Sequence, residues 1–145
     1  MRFKRINRDD PEYVDIPVVN ATGATITTGY PAAYTTTAGS ADGIKAVLPA
    51  ASNLKTFAGI ALKDIPNTEA GVVRAYGYLA SIAVFATGTS GTVALGEALG
   101  PGVAGSLGVN STGLKDGFGP VLTFEAIGAA INSPGGFVSG FIRAL

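Results

Sequence analysis

Apolar and polar positions alternate with period two in much of this chain, most clearly over Phe57–Phe85. Phe57–Ile65 is a run of small and apolar residues that ends at Pro66. The segment PNTEAG (66–71) supplies turn chemistry, because proline fixes φ while asparagine and glycine tolerate left-handed geometry. Val72–Phe85 then alternates strictly. The pattern therefore predicts two paired strands joined by a turn, a β-hairpin.

The predicted strand over Val72–Phe85 has two different faces. One face carries Val72, Arg74, Tyr76, Tyr78, Ala80, Ile82 and Val84. The other carries Val73, Ala75, Gly77, Leu79, Ser81, Ala83 and Phe85. Since the second face is almost free of polar groups, we predict that it faces the core, with Val73, Leu79 and Phe85 as its main side chains. The first face then offers Arg74, Tyr76 and Tyr78 for a contact between subunits.

The other segments have the pattern of short strands separated by turns. Extended segments are predicted at 13–20, 21–30, 43–48, 92–95, 120–130 and 137–145, with a loop or edge strand at 31–40 and one helical turn at 50–56. Pro17 indicates an edge position, because proline cannot donate to a ladder. We predict an all-β fold with at most one or two short helical turns. It would be a small β-barrel or β-sandwich over residues 17–145, preceded by an extended N-terminal arm, residues 1–16.

The composition indicates a protein whose surface is partly covered by partner molecules. It has 145 residues, ten basic and ten acidic, so the net charge is zero. Average proteins carry about 25% charged residues, and this chain carries 14%. Because solubility of an isolated monomer normally depends on net charge, so little charge favours a protein that covers part of its surface with partners.

The sequence offers no catalytic constellation. It contains no cysteine and no histidine, so thiolate chemistry and the commonest general base and metal ligand are absent. The acids after residue 16 are scattered beside turns, and no serine has a lysine at a suggestive spacing. No phosphate-binding or dinucleotide-binding glycine motif occurs. We expect no enzyme activity, no cofactor and no metal. Glu125, within an apolar strand, is assigned to a subunit contact or to an ion pair with Arg74 or Arg143.

Membrane and nucleic-acid roles are disfavoured. Ala75–Leu95 has no charge and is long enough to cross a bilayer, but it contains the breakers GTSG and alternates with period two. No apolar segment follows the basic N-terminus, so a secretory signal is not predicted. Tyr76 and Tyr78 beside Arg74 could stack on nucleic-acid bases or form a protein interface. The scarcity of cations outside the arm favours the protein interface, and we expect neither a membrane nor a nucleic-acid partner.

The predicted arm holds eight of the 20 charged residues. The basic side chains come first, followed by the acidic ones: Arg2, Lys4, Arg5 and Arg8, then Asp9, Asp10, Glu12 and Asp15. Such a segment is a solvated terminus or an arm that becomes ordered on the charged surface of a partner. Binding to nucleic acid is the weaker interpretation, since the acidic block cancels the basic one within a few residues.

A family resemblance adds to this interpretation over roughly residues 55–145. Phe57, Gly59, Ile60 and Ala61 fit an apolar F-x-G-[IV]-A strand, and Gly71, Val73 and Gly77 fit a following G-x-V-x-x-x-G strand. With the Gly/Ala/Thr-rich middle and the closing LTFEAIGAA and GFVSGFIRAL, the chain resembles the small capsid decoration (cement) proteins of tailed bacteriophages.

The resemblance implies a β-rich homotrimer on the exterior of the virion head, where it clamps and stabilises the lattice of the major capsid protein. It implies synthesis in the host cytoplasm, and it offers no catalytic residues. The arm, with Arg2, Lys4, Arg5 and Arg8, would contact the capsid. Two alternatives stay open: another virion subunit, associated with the tail tube or a fibre, and a carbohydrate- or cell-surface-binding β-sandwich. The absence of tryptophan argues against the latter.

Overall fold

The computed structural model of the protein describes residues 12–37, 42–50, 56–85, 98–101, 107–109, 121–123 and 136–144. Within these residues the chain forms nine β-strands and no helix. The strands are β1 (Val14–Asn20), β2 (Pro31–Tyr34), β3 (Lys45–Val47), β4 (Phe57–Ala61), β5 (Ala70–Phe85), β6 (Ala98–Pro101), β7 (Leu107–Val109), β8 (Val121–Thr123) and β9 (Gly136–Arg143). The predicted all-β class is confirmed.

The predicted hairpin is present as the antiparallel pair β4–β5, with Ile60 opposite Arg74 and Ala61 opposite Val73. β5 is 16 residues long, whereas strands usually have about five or six. It pairs with four other strands: β1 and β4 along its first half, β7 and β9 along its second. The sheet is therefore organised around the strand in which the sequence pattern is clearest.

Strand pairing closes two cycles that share β5. In the first ring the order is β1–β3–β2–β4–β5, and β5 pairs back with β1. In the second ring the order is β5–β7–β6–β8–β9, and β9 pairs back with β5. The β1–β3 and β5–β7 pairs are parallel and all the other pairs are antiparallel. Closure of this kind leaves little unpaired strand edge.

Each ring has a hydrophobic core of its own. The first is built from small and β-branched residues: Val18, Ile26, Ala32, Ala46, Ala58, Ala61, Ile65 and Val73. The second contains larger side chains: Ile60, Ile82, Val84, Leu99, Leu107, Val121, Val138 and Ile142. Ile60 comes from β4 of the first ring, so this side chain also packs the two rings together. Half of the buried residues of the first core are alanines, which is where part of the abundant alanine of this chain is used.

A β-bulge in β5 corrects the predicted faces of this strand. The register with β9 shifts between Leu79 and Ile82, so β5 carries one extra residue there. One extra residue reverses the inward and outward alternation from that point onward. Before the bulge the prediction is correct, and Val73 is fully buried. After it, Ile82 and Val84 lie in the core, although the pattern placed them outside, while Ser81 is exposed.

The other predicted segments have mixed outcomes. β1 and β3 form within the predicted segments 13–20 and 43–48, and β9 begins one residue before the predicted segment 137–145 and covers most of it. β2, predicted as a loop or edge strand, is an interior strand between β3 and β4. In the predicted extended segment 21–30, Ile26 forms only an isolated bridge with Ile65. β8 forms in the first part of segment 120–130.

Two predicted segments fall largely or wholly outside the described residues. They are the helical turn at 50–56 and the strand at 92–95. The predicted arm is described only from Glu12 onward. Its last residues belong to the sheet, because β1 begins at Val14.

Candidate interaction surface

The outward side of β5 and its two antiparallel neighbours, β1 and β9, form one continuous surface. Directly opposite residues of an antiparallel pair project to the same face of a sheet, so the strand register defines its members. We call this surface the outer face, and it comprises Val14, Asp15 and Pro17 of β1, Val72, Arg74, Tyr76 and Tyr78 of β5, and Phe141 and Arg143 of β9. Three predicted interface residues, Arg74, Tyr76 and Tyr78, thus lie together.

Arg74 is the organising side chain of the outer face. Its Nε and Nη2 atoms donate to the two carboxylate oxygens of Asp15 at 2.8 and 3.1 Å. Its Nη1 donates to the backbone carbonyl of Tyr78 at 3.0 Å, and its Cζ lies 4.6 Å from the ring centroid of Tyr13. The hydrogen bond with Asp15 raises the pKa of Arg74 above its usual value. The pair cancels both charges, which leaves the centre of the outer face electrically neutral.

Aromatic side chains surround this neutral pair. Tyr76 and Phe141 contact edge to face, with ring centroids 5.0 Å apart and an interplanar angle of 86°. Tyr13 and Tyr78 are exposed to 56% and 48%, and Val14 to 39%. A surface that combines exposed tyrosines, apolar residues and a positioned arginine has the composition of protein–protein contacts.

A turn of the first ring lies against the second ring. Residues Thr27–Tyr30 form a β-turn, in which the N–H of Tyr30 donates to the carbonyl of Thr27 at 3.0 Å. Gly29 occupies the third position with φ +81°, as a type II turn requires. Its carbonyl accepts a 2.9 Å hydrogen bond from the N–H of Ala83 on β5. A Cβ atom at Gly29 would lie 3.3 Å from the ring of Phe137, so the turn and this ring are in close contact.

Two of the acids that the sequence places beside turns accept hydrogen bonds from backbone groups of those turns. Asp64 accepts hydrogen bonds from the N–H and the hydroxyl of Thr28 at 2.7 and 2.8 Å, and these bonds lower its pKa. Asp42 accepts from the N–H groups of Lys45 and Ile44 at 2.9 and 3.0 Å, which lowers its pKa to about 2. Both carboxylates hold turns, and Asp64 holds the turn that contacts the second ring.

The described part of the chain contains no group of three or more side chains that could hold a metal ion. In the same residues, every buried side-chain nitrogen or oxygen has a hydrogen-bond partner. No helix among them is long and apolar enough to cross a membrane.

Some predicted residues lie outside the described part of the chain, namely Glu125 and the arm residues Arg2, Lys4, Arg5 and Arg8. The sequence analysis did not identify Asp15 as the partner of Arg74, because Asp15 was assigned to the arm. Asp15 is 59 residues away in sequence, and a local pattern cannot reveal such a pair. The sequence does contain one indication that Asp15 has a partner, since this acid interrupts the extended segment YVDIPVV.

No protein-family model and no curated protein matches the sequence. Among solved structures, the chain is similar to the crystal structure of the head fiber gp8.5 N base of bacteriophage phi29. The TM-score is 0.54 and the sequence identity is 18%, and the match covers 92% of this chain and 96% of that one. At this identity the comparison establishes a shared fold over nearly the whole of both chains.

Proposed function

We propose that this protein is a structural component of a bacteriophage virion. It binds the outside of the head as a decoration protein and stabilises the lattice of the major capsid protein. The observation that carries this proposal is the fold that the chain shares, over 92% of its length, with the base of a phage head fiber protein. In this role the protein needs no catalytic residue, cofactor, membrane or nucleic acid.

The proposed assembly is a homotrimer, as the resemblance to decoration proteins implies. The outer face supports a contact between subunits, because exposed Tyr13 and Tyr78 flank a charge-neutral centre. Because Asp15 neutralises Arg74, a contact over this centre would bury a paired charge, whereas an unpaired charge there would oppose association. Tyr76 and Glu125 belong to the same proposed contact. Arg74 positions the surrounding residues through its hydrogen bonds to Asp15 and Tyr78.

The proposed capsid contact is the N-terminal arm. The basic residues of the arm precede Glu12 in sequence, and the backbone carbonyl of Glu12, with Tyr13, packs on Gly77 of β5 beside the outer face. Replacing Arg2, Lys4, Arg5 and Arg8 by glutamine tests this contact, with the substitution of Asp9 and Asp10 by asparagine as the matched control. Binding to heads that lack the protein is measured by co-sedimentation at several salt concentrations.

The proposal expects the four-glutamine variant to keep its fold but bind heads more weakly, with a smaller dependence on salt. The control variant should bind at least as well as the natural chain. If the natural protein does not sediment with heads at all, the decoration role is wrong. If the four-glutamine variant binds as tightly as the natural protein, only the role of the arm is wrong.

A second candidate is the attachment base of a fibre on the head, which the comparison with the phi29 protein favours specifically. Electron cryomicroscopy of particles that carry the protein separates the two roles. Compact knobs on the head surface fit decoration, and density that continues outward from the knobs fits a fibre base. Density on the tail alone would contradict both.

A further inference from the structure

The two rings have the same topology. In each, the first strand pairs with the third in parallel. The antiparallel pairs of each ring are third with second, second with fourth, fourth with fifth, and fifth with first. β5 is the fifth strand of the first ring and the first strand of the second. Because a five-strand cycle can be connected in many ways, the same order with the same single parallel pair is a specific likeness.

The closing strands of the two rings also match residue by residue. Each ring has an isoleucine–valine pair, and a valine–glycine pair follows two positions further along the first strand. In the first ring these pairs are Ile16–Val73 and Val18–Gly71, and in the second they are Ile82–Val138 and Val84–Gly136. The four valines and Ile82 are at most 1% exposed, so the match falls on core positions.

The parallel pairs lie at equivalent places in the two rings. Parallel pairing is found at Val19–Lys45 in the first ring and at Phe85–Gly108 in the second. Val19 and Phe85 each lie three residues after the isoleucine of the matched pair. The first strand of each ring therefore turns to its third strand at the same point.

A register shift precedes the matched pairs in both rings. It falls between Val14 and Asp15 in the first ring and between Leu79 and Ile82 in the second. In both rings the extra residue belongs to β5, which closes the first ring and opens the second. The place of the shift is thus shared, although the strand that carries the bulge has a different role in each ring.

The sequence of the fifth strand, and of the residues before it, is repeated as well. Residues 67–76 read NTEAGVVRAY, and residues 132–141 read NSPGGFVSGF. Asparagine, glycine and valine recur at the same positions, and the other positions include Thr–Ser, Ala–Gly and Tyr–Phe exchanges. This alignment places Gly71 on Gly136 and Val73 on Val138, which are the equivalents that the strand register gives independently.

We infer that the chain is a tandem duplication of one five-strand unit, and that the two copies are fused through β5. This strand is the last of the first copy and the first of the second, which accounts for its length of 16 residues. A strand that serves one ring is about half as long: β1 has 7 residues and β9 has 8. The inference does not depend on the proposed role on a phage head.

The two copies agree at core positions and differ on the outer face. The places of Asp15 and Arg74 are held in the second copy by Ser81 and Ser139, which adjoin the matched Ile82–Val138 pair. Two serines cannot form an ion pair, yet the second ring closes. The fold of the unit therefore does not require the Arg74–Asp15 pair, which is a property of the surface of the first copy.

A unit that is joined through a shared strand can be joined in the same way again. β9 repeats the first half of β5, and the alignment makes Arg143 the equivalent of Tyr78. If the residues that follow Tyr78 were placed after Arg143, β9 would gain the second half of β5. The duplication thus predicts that a third unit can be added in register, as in other repeat proteins.

The test is a chain in which a second copy of residues 79–145 follows directly after Arg143. The matched control has the same length and carries Ile82→Asp and Val138→Asp in the added copy only. A charge at these two buried positions opposes closure of the added ring. Urea denaturation followed by circular dichroism, and limited proteolysis followed by mass spectrometry, compare both chains with the natural one.

We expect the extended chain to unfold with a urea slope about 1.4 times that of the natural chain, because this slope grows with the surface exposed on unfolding. A protease concentration that leaves the natural chain intact should leave the extended chain intact. The control should keep the natural slope and be trimmed to about the natural mass. An extended chain that behaves as the control does would overturn the inference that β9 can serve as β5 does.

A second measurement uses the natural chain and needs no added unit. Nuclear Overhauser contacts between backbone protons identify paired strands and their direction. The duplication expects parallel contacts at both Val19–Lys45 and Phe85–Gly108. Parallel contacts in one ring and antiparallel contacts in the other would overturn the duplication, whatever the extended chain does. Binding to phage heads is measured separately, so neither result decides the proposed function.

Discussion

The side-chain amide of Asn20 donates a 2.7 Å hydrogen bond to the backbone carbonyl of Ile65, 45 residues further along the chain. Asn20 is 1% exposed, and its amide also donates to Ala24 and accepts from the N–H of Thr22. A buried amide that bonds to three backbone groups uses its own hydrogen-bonding capacity fully, as a buried polar side chain requires. This one side chain joins the end of β1 to the segment after β4.

Removing this amide is expected to destabilise the fold strongly. Asn20→Ala should lower the free energy of unfolding by about 1–3 kcal/mol, because it removes three hydrogen bonds at a buried side chain and takes the acceptor from the Thr22 N–H. Asn67→Ala is the control, since Asn67 accepts one exposed hydrogen bond from the N–H of Gly23 at 2.9 Å. The control should cost about 1 kcal/mol or less. Urea denaturation followed by circular dichroism measures both, and equal losses would contradict the assignment.

The Arg74–Asp15 pair is expected to contribute a measurable coupling free energy. The side chains are 18% and 24% exposed and the contact has two hydrogen bonds, so solvent screens it only in part. A double-mutant cycle with Arg74→Met and Asp15→Asn should give about 1–2 kcal/mol. The Lys45–Asp42 pair, 40% exposed on both sides, is the control and should give a smaller value. A coupling free energy no larger than that of the control would show that the pair does not hold the outer face.

Local features of the fold could be predicted from the sequence, because their causes are local. Period-two alternation and a proline–glycine turn predict the β4–β5 pair, which the structure contains. The buried position of Val73 follows from the same pattern. The bulge after Leu79 could not be predicted, since it depends on how β5 pairs with β9, more than 50 residues away in sequence. The prediction that Ile82 and Val84 lie on the outward face was wrong for this reason.

The candidate site, too, could be predicted from the sequence only in part. Arg74, Tyr76 and Tyr78 share a face because they alternate within one strand, and alternation is visible in sequence. Asp15 joins them only through the pairing of β1 with β5, a contact between distant segments. The closure of the two rings depends on ten strand pairings, and no single window of the sequence contains them all.

Stability is expected to fall in acid as two turn carboxylates take up protons. The folded chain holds the pKa of Asp42 at about 2, and hydrogen bonds from Thr28 lower that of Asp64. A carboxyl with a lower pKa in the folded state contributes stability above its unfolded pKa, about 4 for aspartate, and loses it as the pH falls through the folded value. The free energy of unfolding should therefore decline from about pH 4 towards pH 2.

The double variant Asp42→Asn, Asp64→Asn isolates this effect, because asparagine keeps an acceptor oxygen but has no proton to gain. Its stability should change less than that of the natural chain between about pH 4 and pH 2, and the two curves should be parallel above about pH 5. Thermal melting at a series of pH values gives the comparison. Identical curves in the acid range would show that other carboxylates cause the decline.

Among the described glycines that have a positive φ, Gly59 is where an added methyl group is expected to be most disruptive. This glycine has φ +146°, and an added Cβ would lie 2.3 Å from the backbone carbonyl oxygen of Arg74 on the paired strand. Gly59→Ala should lower the free energy of unfolding by about 3 kcal/mol or more, because neither strand backbone can retreat without breaking the β4–β5 ladder. Gly43→Ala separates strain from clash, since Gly43 also has positive φ, +72°, but nothing within 4 Å of the added atom. It should cost about 1 kcal/mol. Equal effects in urea denaturation would mean that conformation alone, and not the close approach of two strands, requires glycine at the centre of this hairpin.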